Sequence, residues 1–271
     1  MSFWAPLLFL WRFALLYNIN ILGFSVPGYS LAIIAGLVAA NIAAAVTARR
    51  ERLDGNDIIL LEAYIVLGAL IGAKLLYIAV SAREIDWSRI TDRDYLTSIM
   101  LGGFVFYGGL FGALAAAALC LRIHRIPAAY IGSLLYMFPL VHGFGRVGCF
   151  LAGCCYGMEY SGPLAVRFPA GSMAPAGVSL FPVQLLEAAL LFALAAALAV
   201  LKKRLSTGRL VVFYLAAYSA MRFCLEFLRA DAARGVFFGL STSQWISLAT
   251  LAVTAIFSAK YYIAMDKGRK S

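Results

Sequence analysis

Long, nearly uninterrupted apolar runs recur along the chain, each bounded by charged residues or by glycine and proline. An α-helix needs about 20 consecutive apolar residues to cross the hydrocarbon core of a bilayer. Because the runs are continuously apolar rather than alternating, the pattern excludes a membrane β-barrel. It predicts an all-α, polytopic membrane protein with about seven transmembrane helices in a single transmembrane domain. The predicted spans are residues 28–48, 57–80, 98–121, 128–152, 182–201, 210–228 and 243–263 of 1–271.

The composition agrees with this pattern and excludes a water-soluble enzyme. Hydrophobic residues make up 63% of the chain and charged residues only 13%, with a mean hydropathy of +0.87, whereas soluble domains are about 45–50% apolar and about 25% charged. The stretch before the first span is apolar but interrupted by Arg12, Asn18 and Asn20. It has no basic start and no small-residue cleavage site, so residues 1–24 are predicted to form an interfacial helix and not a signal peptide.

The basic residues predict the orientation of the chain. Lys and Arg number 13 in the loops 49–56, 122–127 and 202–209 and the tail from Lys260, against 7 in the N-terminal segment and the other loops. The positive-inside rule therefore places the N-terminus outside and the C-terminus in the cytoplasm. The segments 153–181 and 229–242 are then external loops. Because loops and lipid headgroups account for the net charge of +10, no nucleic-acid partner is expected.

Seven ionisable side chains fall within or at the edges of the predicted spans. Each costs at least about 2.5–3.5 kcal/mol at the bilayer centre, so all are expected to face the protein interior, paired or hydrated. An ionisable group at this depth is also the first candidate for a functional site. These residues are Glu62, Lys74, His142, Arg146, Glu187, Arg222 and Glu226.

Two groups of polar side chains each share one face of a predicted helix. They are His142, Arg146 and Cys149 on the fourth span, and Arg222, Glu226 and Arg229 at the end of the sixth. Two buried arginines with few acids to neutralise them indicate an anionic ligand, and guanidinium suits the phosphate of a phospholipid headgroup. The alternative is a structural network in which the two span glutamates neutralise the arginines and the histidine is a hydrogen-bonded core residue.

Glycine is concentrated around the third and fourth spans, where it allows the backbone to approach a ligand or another helix closely. Helix packing alone explains Gly108 and Gly112, because their small-xxx-small spacing is common in membranes. The run HGFGRVGCFLAGCCYG, residues 142–157, has a less ordinary density of glycine.

Residues 145–157 of that run align without a gap with the pattern G-R-x-G-N-F-x-N-x-E-x-x-G. This is the signature of the prolipoprotein diacylglyceryl transferase family, which the chain resembles. Other segments are similar to the motifs of that family in the same order and cover nearly the whole chain. They are Tyr29 at the start of the first span, IGAKLLY (71–77), FVFYGGLFG (104–112), FPVQLLEA (181–188) and YSAMRFCLEFLR (218–229).

The resemblance implies a transferase of the bacterial inner membrane that needs no metal and no diffusible cofactor. Its substrates would be phosphatidylglycerol, whose diacylglyceryl group is transferred, and the lipobox cysteine of a lipoprotein precursor; glycerol phosphate would be released. Arg146 and Arg222 would act in catalysis by stabilising the charge that develops on the phosphate. The substrate-binding residues would be Tyr29, Tyr107, Gly108, Gly109, Gly148, Cys149, Cys154, Gly157, Gln184, Glu187, Glu226 and Arg229.

The chain departs from the family at several polar positions. Tyr107 stands where the family has the histidine of its H-G-G motif, and Lys74 where it has an arginine. The two asparagines and the glutamate of the signature correspond to Cys149, Ala152 and Cys154. The arginines proposed to hold phosphate are therefore retained, while the polar residues around them differ.

The loss of the family histidine leaves the base that activates the acceptor thiol to be found elsewhere. His142 lies one helical turn before Arg146 and is predicted to be that base. Tyr107 would instead hydrogen-bond a headgroup, because a phenol is a poor base at neutral pH. Two other functions stay open: a phospholipid-dependent transferase with a different acceptor, and a non-catalytic phospholipid-binding membrane protein.

Cys149, Cys154 and Cys155 allow several interpretations. They could simply be small packing residues, or two of them could form a disulfide on an oxidising outer face. A metal site is disfavoured, since the spacing C-x4-C-C lacks a paired second half and His142 would be the only nearby nitrogen ligand. Nothing in the sequence distinguishes Cys154 as a lipid or acyl carrier. With five cysteines, an odd number, the chain shows no disulfide framework.

Overall fold

The computed structural model of the chain describes residues 18–21, 24–230 and 236–270. Helices dominate this part of the chain, and three short antiparallel strand pairs accompany them. The helices are α1 (Gly28–Glu51), α2 (Gly55–Val80), α3 (Arg93–Leu101), α4 (Phe106–Ile123), α5 (Ala129–Leu134), α6 (Met137–Ala152), α7 (Val183–Leu201), α8 (Thr207–Glu226) and α9 (Thr242–Lys270). The strands are β1 (Asn18–Ile21), β2 (Phe24–Pro27), β3 (Val166–Arg167), β4 (Ser179–Leu180), β5 (Val236–Phe237) and β6 (Leu240–Ser241).

Six helical segments of the described chain are long and apolar enough to cross a membrane, which confirms an all-α membrane protein. They are Gly28–Glu51, Gly55–Val80, Ala129–Ala152, Val183–Leu201, Thr207–Glu226 and Thr242–Ala259. The third predicted span corresponds to a shorter apolar helix, Tyr107–Ile123. Length and composition carry this assignment, so the N-out orientation stays a prediction.

The third span differs from the prediction over residues 98–121, because two glycines divide that stretch. Helix α3 ends at Leu101, and α4 begins at Phe106. Between them, Gly103 has φ +62°, which a residue with a side chain rarely adopts. Lys74 stabilises the break, since its Nζ donates hydrogen bonds to the carbonyl oxygens of Ile99 (2.8 Å), Gly103 (3.0 Å) and Gly102. The side chain thus satisfies carbonyls that a helix end leaves without partners.

The predicted interfacial helix of residues 1–24 is wrong over its last part. Residues 18–21 form strand β1, which pairs antiparallel with β2 in the register Asn18 with Pro27 and Ile19 with Val26. The physical reason is the alternation Asn-Ile-Asn-Ile, which has the two-residue period of a strand and contains poor helix formers. Residues 1–17 of the predicted segment lie outside the described residues.

The chain divides into two compact units: a continuous unit, residues 45–130, and a discontinuous unit, residues 1–44 with 131–271. Glycines hold α2 and α4 together in the continuous unit. A Cβ added to Gly108 would overlap the carbonyl oxygen of Gly72, and one on Gly112 would overlap that of Gly68. The helix-packing interpretation of Gly108 and Gly112 is therefore confirmed.

The discontinuous unit packs α6 against α7, α7 against α8, and α8 against α9. Contact between α6 and α7 is close at Gly143, where an added Cβ would lie 2.5 Å from Cε1 of Phe192. The irregular segment 153–181 folds over the end of α6 around Phe168 and Leu180, which are 2% and 1% exposed. This packing fixes the backbone that follows α6, where the candidate site lies.

Candidate functional site

Arg146 on α6 forms an ion pair with Glu187 on α7. Its Nε lies 3.0 Å from Oε1 of Glu187, and the two side chains are 15% and 2% exposed. The two atoms do not meet hydrogen-bond geometry, so the contact is a charge pair rather than an aligned hydrogen bond. Glu187 is therefore the partner of Arg146, as one of the two sequence-based interpretations expects.

Arg222 forms the second ion pair, with Glu226 one turn later on α8. The Nη2 atom of Arg222 lies 2.5 Å from Oε2 of Glu226 and donates a hydrogen bond of 3.2 Å to Oγ of Ser243. Its Nη1 atom is buried and has no hydrogen-bond partner among the described residues. A guanidinium has five N–H donors, so one glutamate can hold it in place while other donors stay available to a ligand.

His142 lies close to both arginines. Its ring centroid is 5.5 Å from that of Tyr218, and both Arg146 and Arg222 act on it electrostatically. Tyr218 in turn acts on Arg146. Tyr218 was missed by sequence reasoning, although it opens the YSAMRF segment.

The end of α6 brings Cys149 and Cys154 together through its backbone. Gly153 has φ +70°, its N–H donates to the carbonyl of Phe150 (3.1 Å), and the N–H of Cys154 donates to that of Cys149 (3.1 Å). These two bonds define a Schellman motif, in which the residues at the positions of Cys149 and Cys154 usually contact each other. The helix end thus dictates that these two side chains meet.

Cys155 joins the other two cysteines through an unusual backbone. Its φ is +56°, which costs a non-glycine residue about 1–3 kcal/mol. The three sulfur atoms lie within 4.8 Å of one another, each on a partly buried side chain. All three are free thiols, so the disulfide interpretation has no support here. We call Cys149, Cys154 and Cys155 the thiol cluster.

Arg229 reaches the thiol cluster because the chain segments on either side pair. The N–H of Met158 donates to Leu228 (2.9 Å), and Gly157 forms a bridge with Arg229. Gly157 allows this approach, since an added Cβ would lie 3.0 Å from the carbonyl oxygen of Leu228.

Hydrogen bonding within the thiol cluster affects Cys155 in particular. Hydrogen bonds with Cys149 and Cys154 lower the pKa of the Cys155 thiol, burial opposes them, and Arg229 lowers the pKa further. The pKa therefore lies below its ordinary value, which favours the nucleophilic thiolate. Cys155 was not among the predicted site residues. Its position in the thiol cluster depends on a positive φ, which the sequence does not predict.

Tyr29, Gly148 and Gln184 border the same region. A Cβ on Gly148 would lie 3.0 Å from Cδ2 of Tyr29, so the glycine lets the start of α1 approach α6. Tyr29, 43% exposed, interacts electrostatically with all three thiols and with Arg146. Gln184 donates a hydrogen bond of 2.9 Å to the carbonyl oxygen of Cys154. Its Oε1 is buried and lacks a hydrogen-bond partner within the described chain.

The remaining predicted site residues, Tyr107, Gly108 and Gly109, belong to α4 in the continuous unit. Tyr107 is 36% exposed. Gly108 faces α2, and a Cβ on Gly109 would lie 3.3 Å from the carbonyl oxygen of Ala69. The other predicted residues lie in the discontinuous unit, together with the arginines and the thiol cluster. Those groups can hold a phosphate and present thiols beside it.

Comparison with known proteins gives consistent matches along the chain. The model of the family described as prolipoprotein diacylglyceryl transferase matches residues 17–260. A phosphatidylglycerol–prolipoprotein diacylglyceryl transferase 2 of Clostridium perfringens is 33% identical over 93% of this chain and 96% of its own length. A phosphatidylglycerol–prolipoprotein diacylglyceryl transferase of Clostridium tetani is also 33% identical, over 86% of this chain and 92% of its own.

Proposed function

Because this chain belongs to the prolipoprotein diacylglyceryl transferase family, we propose that it is a membrane transferase acting on phosphatidylglycerol and a lipoprotein precursor. The acceptor is the sulfur of the lipobox cysteine. That sulfur forms a bond with the glyceryl carbon attached to phosphate, the carbon–oxygen bond breaks, and the phosphate oxygen takes the electron pair. The products are a thioether-linked diacylglyceryl group and glycerol phosphate.

The buried Nη1 of Arg222 is the observation that carries the proposed phosphate site. A buried donor without a partner among the described residues costs about 1–3 kcal/mol, and a phosphate oxygen would satisfy it. Arg222 and Arg146 both interact electrostatically with His142. Together they would stabilise the negative charge that grows on the leaving phosphate.

Glu187 and Glu226 have a positioning role in this proposal. Each forms an ion pair with one arginine and is itself buried, at 2% and 9% exposure. A carboxylate on one edge of a guanidinium fixes its plane, so that the remaining N–H donors point in a defined direction. The glutamates would therefore orient the arginines without contacting the leaving group.

The other predicted residues of the discontinuous unit are assigned to the substrates or to the backbone around them. We assign Tyr29 to the lipid headgroup, and Cys149, Cys154 and Arg229 to the acceptor. Gln184, Gly148 and Gly157 shape the backbone on which those groups lie. The substrate-binding role of Tyr107, Gly108 and Gly109, which lie on α4 in the continuous unit, stays a prediction. The predicted role of His142 as base is tested by a His142→Gln variant: an unchanged rate from pH 6 to 8 would contradict it.

The predicted cell location and orientation belong to the same proposal. We place the protein in the bacterial inner membrane, with its N-terminus and the segments 153–181 and 229–242 on the outer side. The acceptor cysteine of an exported precursor would then meet the thiol cluster on the side to which the precursor is delivered.

The direct test gives the purified chain phosphatidylglycerol and a synthetic lipobox peptide, and follows the mass of the peptide. A gain of one diacylglyceryl group, absent when the peptide cysteine is replaced by serine, supports the proposal. Release of glycerol phosphate without peptide modification would instead support a different acceptor, which the departures at Tyr107, Cys149 and Cys154 favour. If phosphatidylglycerol binds to the chain but neither the lipid nor the peptide is changed, the result would support a non-catalytic phospholipid-binding protein.

The phosphate site is tested by Arg146→Lys and Arg222→Lys, which keep the charge but lose the planar donor fork. Each is expected to lower the rate by about 100- to 1000-fold, the usual effect of removing one preorganised donor. Arg204→Lys, an exposed change in the loop between α7 and α8, is the matched control. Near-normal rates in both site variants, with folding confirmed by gel filtration, would contradict the phosphate site.

A further inference from the structure

We propose that the thiol cluster binds one zinc ion through its three sulfur atoms and leaves a fourth position for the thiol of the acceptor. The acceptor half of this inference rests on the proposed function, whereas the metal site itself does not. The metal would be an alternative to the predicted His142 base, because a thiol bound to zinc loses its proton without a protein base.

The geometry of the thiol cluster fits such an ion. Zinc–sulfur bonds of about 2.3 Å in a tetrahedron place sulfur atoms roughly 3.8 Å apart. The three sulfur atoms already lie within 4.8 Å of one another, so small side-chain rotations suffice. The Schellman motif fixes Cys149 and Cys154, and the left-handed backbone of Cys155 directs the third thiol to the same place.

The ligand set selects the metal. Sulfur ligands suit zinc and monovalent copper and exclude magnesium and calcium, which prefer oxygen. Among the described His, Cys, Asp and Glu residues, these three cysteines alone form such a group. Zinc is normally four-coordinate, so three protein ligands leave one position open, as in catalytic zinc sites. Monovalent copper would be complete with three thiolates and would have no position for a substrate.

The surrounding charges are compatible with a zinc–thiolate centre. Three thiolates and a divalent ion leave a net charge of about −1. Arg229 lies beside Cys155, and Arg146 interacts with Cys149 and Cys155, so positive charge is at hand to offset it. Gln184 holds the backbone of Cys154 through its carbonyl, which fixes the ligand from behind.

The chemical consequence is activation of the acceptor without a protein base. A thiol bound to zinc is deprotonated outright, and its proton passes to water. The sulfur then attacks the glyceryl carbon, a C–S bond forms, and the C–O bond breaks with its electrons on the phosphate oxygen. The thioether product is neutral and a weak ligand, so it leaves, and zinc does not change oxidation state.

Metal analysis of the full chain purified in detergent tests the site itself. We expect one zinc per chain in the parent protein and in Cys224→Ser, whose cysteine lies on α8 outside the thiol cluster. We expect none in the combined Cys149→Ser, Cys154→Ser, Cys155→Ser variant. A parent protein with no more zinc than this variant, one that holds copper, or one with a disulfide in the thiol cluster would overturn the inference.

Cobalt substitution in the parent protein avoids any dependence on the folding of the variants. Divalent cobalt bound by thiolates gives a sulfur-to-metal charge-transfer band. That band is expected to appear with one equivalent of cobalt and to change when a lipobox peptide is added. The same peptide with serine in place of cysteine should leave it unchanged. A band that responds equally to both peptides, or no band at all, would overturn the open fourth position.

The transfer assay separates the two proposals. Removing zinc with a chelator is expected to lower peptide modification by about 100-fold or more, as loss of a base would, and added zinc should restore it. If the peptide is modified at full rate by a metal-free chain, the zinc inference is overturned and the proposed function stands. If zinc is bound by the thiol cluster but no peptide is modified, the proposed function and the activating role are overturned together.

Discussion

At the scale of single residues, each buried arginine of the site is matched by one buried glutamate. Arg146 and Glu187 join α6 to α7, and Arg222 and Glu226 lie one turn apart on α8. Removing one partner of a buried pair costs more than the pair contributes, because the other charge is left without compensation. The pairs therefore make the positions of the arginines sensitive to their partners.

The pair on α6 and α7 gives the first stability prediction. Glu187→Gln is expected to lower the free energy of unfolding by about 3–5 kcal/mol, since it leaves Arg146 charged and buried. Thermal unfolding in detergent measures this loss. Glu159→Gln, an exposed glutamate, is the control. Replacing both partners, with Arg146→Leu and Glu187→Leu, should restore most of the stability. A Glu187→Gln protein as stable as the parent would contradict the role of the pair.

The sequence places the three cysteines near one another but does not show that their sulfur atoms meet, whereas it does indicate the charge pairs. Four charges in apolar helices have few possible partners, so their pairing could be expected from spacing and composition. The meeting of three sulfur atoms depends instead on how α6 ends and on the positive φ of Cys155. No helical or strand periodicity encodes that turn, which is why Cys155 was left out of the predicted site.

At the scale of helices, the apolar runs predict six of the seven spans well and the third span poorly. A run of apolar residues across 98–121 reads as one helix, yet Gly102 and Gly103 divide it. The division depends on Lys74, which is distant in sequence and supplies hydrogen bonds to the end of α3. Hydropathy alone carries no information about such a contact.

Two adjacent glycines of α4 test the packing of α2 against α4. Gly108→Ala would place a Cβ on the carbonyl oxygen of Gly72, whereas Gly109→Ala would meet its nearest atom at 3.3 Å. Gly108→Ala is expected to lower stability by about 1–3 kcal/mol, the usual cost of overpacking. Gly109→Ala should change it by less, because alanine also favours the helix by about 1 kcal/mol. Thermal unfolding compares them; an equal loss in both would contradict the assigned faces.

At the scale of the whole molecule, the membrane orientation is the property that most affects how the site is supplied with substrate. The loops 153–181 and 202–209 are predicted to lie on opposite sides of the membrane. Both contain an exposed serine, Ser161 and Ser206. A cysteine at either position can report the side on which it lies.

In intact spheroplasts, a membrane-impermeant maleimide is expected to label a Ser161→Cys variant and to spare a Ser206→Cys variant. After lysis it should label both. Parent protein treated in parallel corrects for the five native cysteines. The reverse pattern would overturn the N-out orientation and, with it, the outer location of the thiol cluster.

The division of the chain into a continuous and a discontinuous unit has a consequence for biosynthesis. Residues 45–130 leave the ribosome as one stretch, so α2 and α4 can pair as soon as both have entered the membrane. The discontinuous unit must wait for the later helices. Arg146 in particular is translated before Glu187, its partner on α7. A ribosome that stalls between the two codons would therefore leave the guanidinium without its compensating carboxylate, which is costly for a charge buried in the membrane.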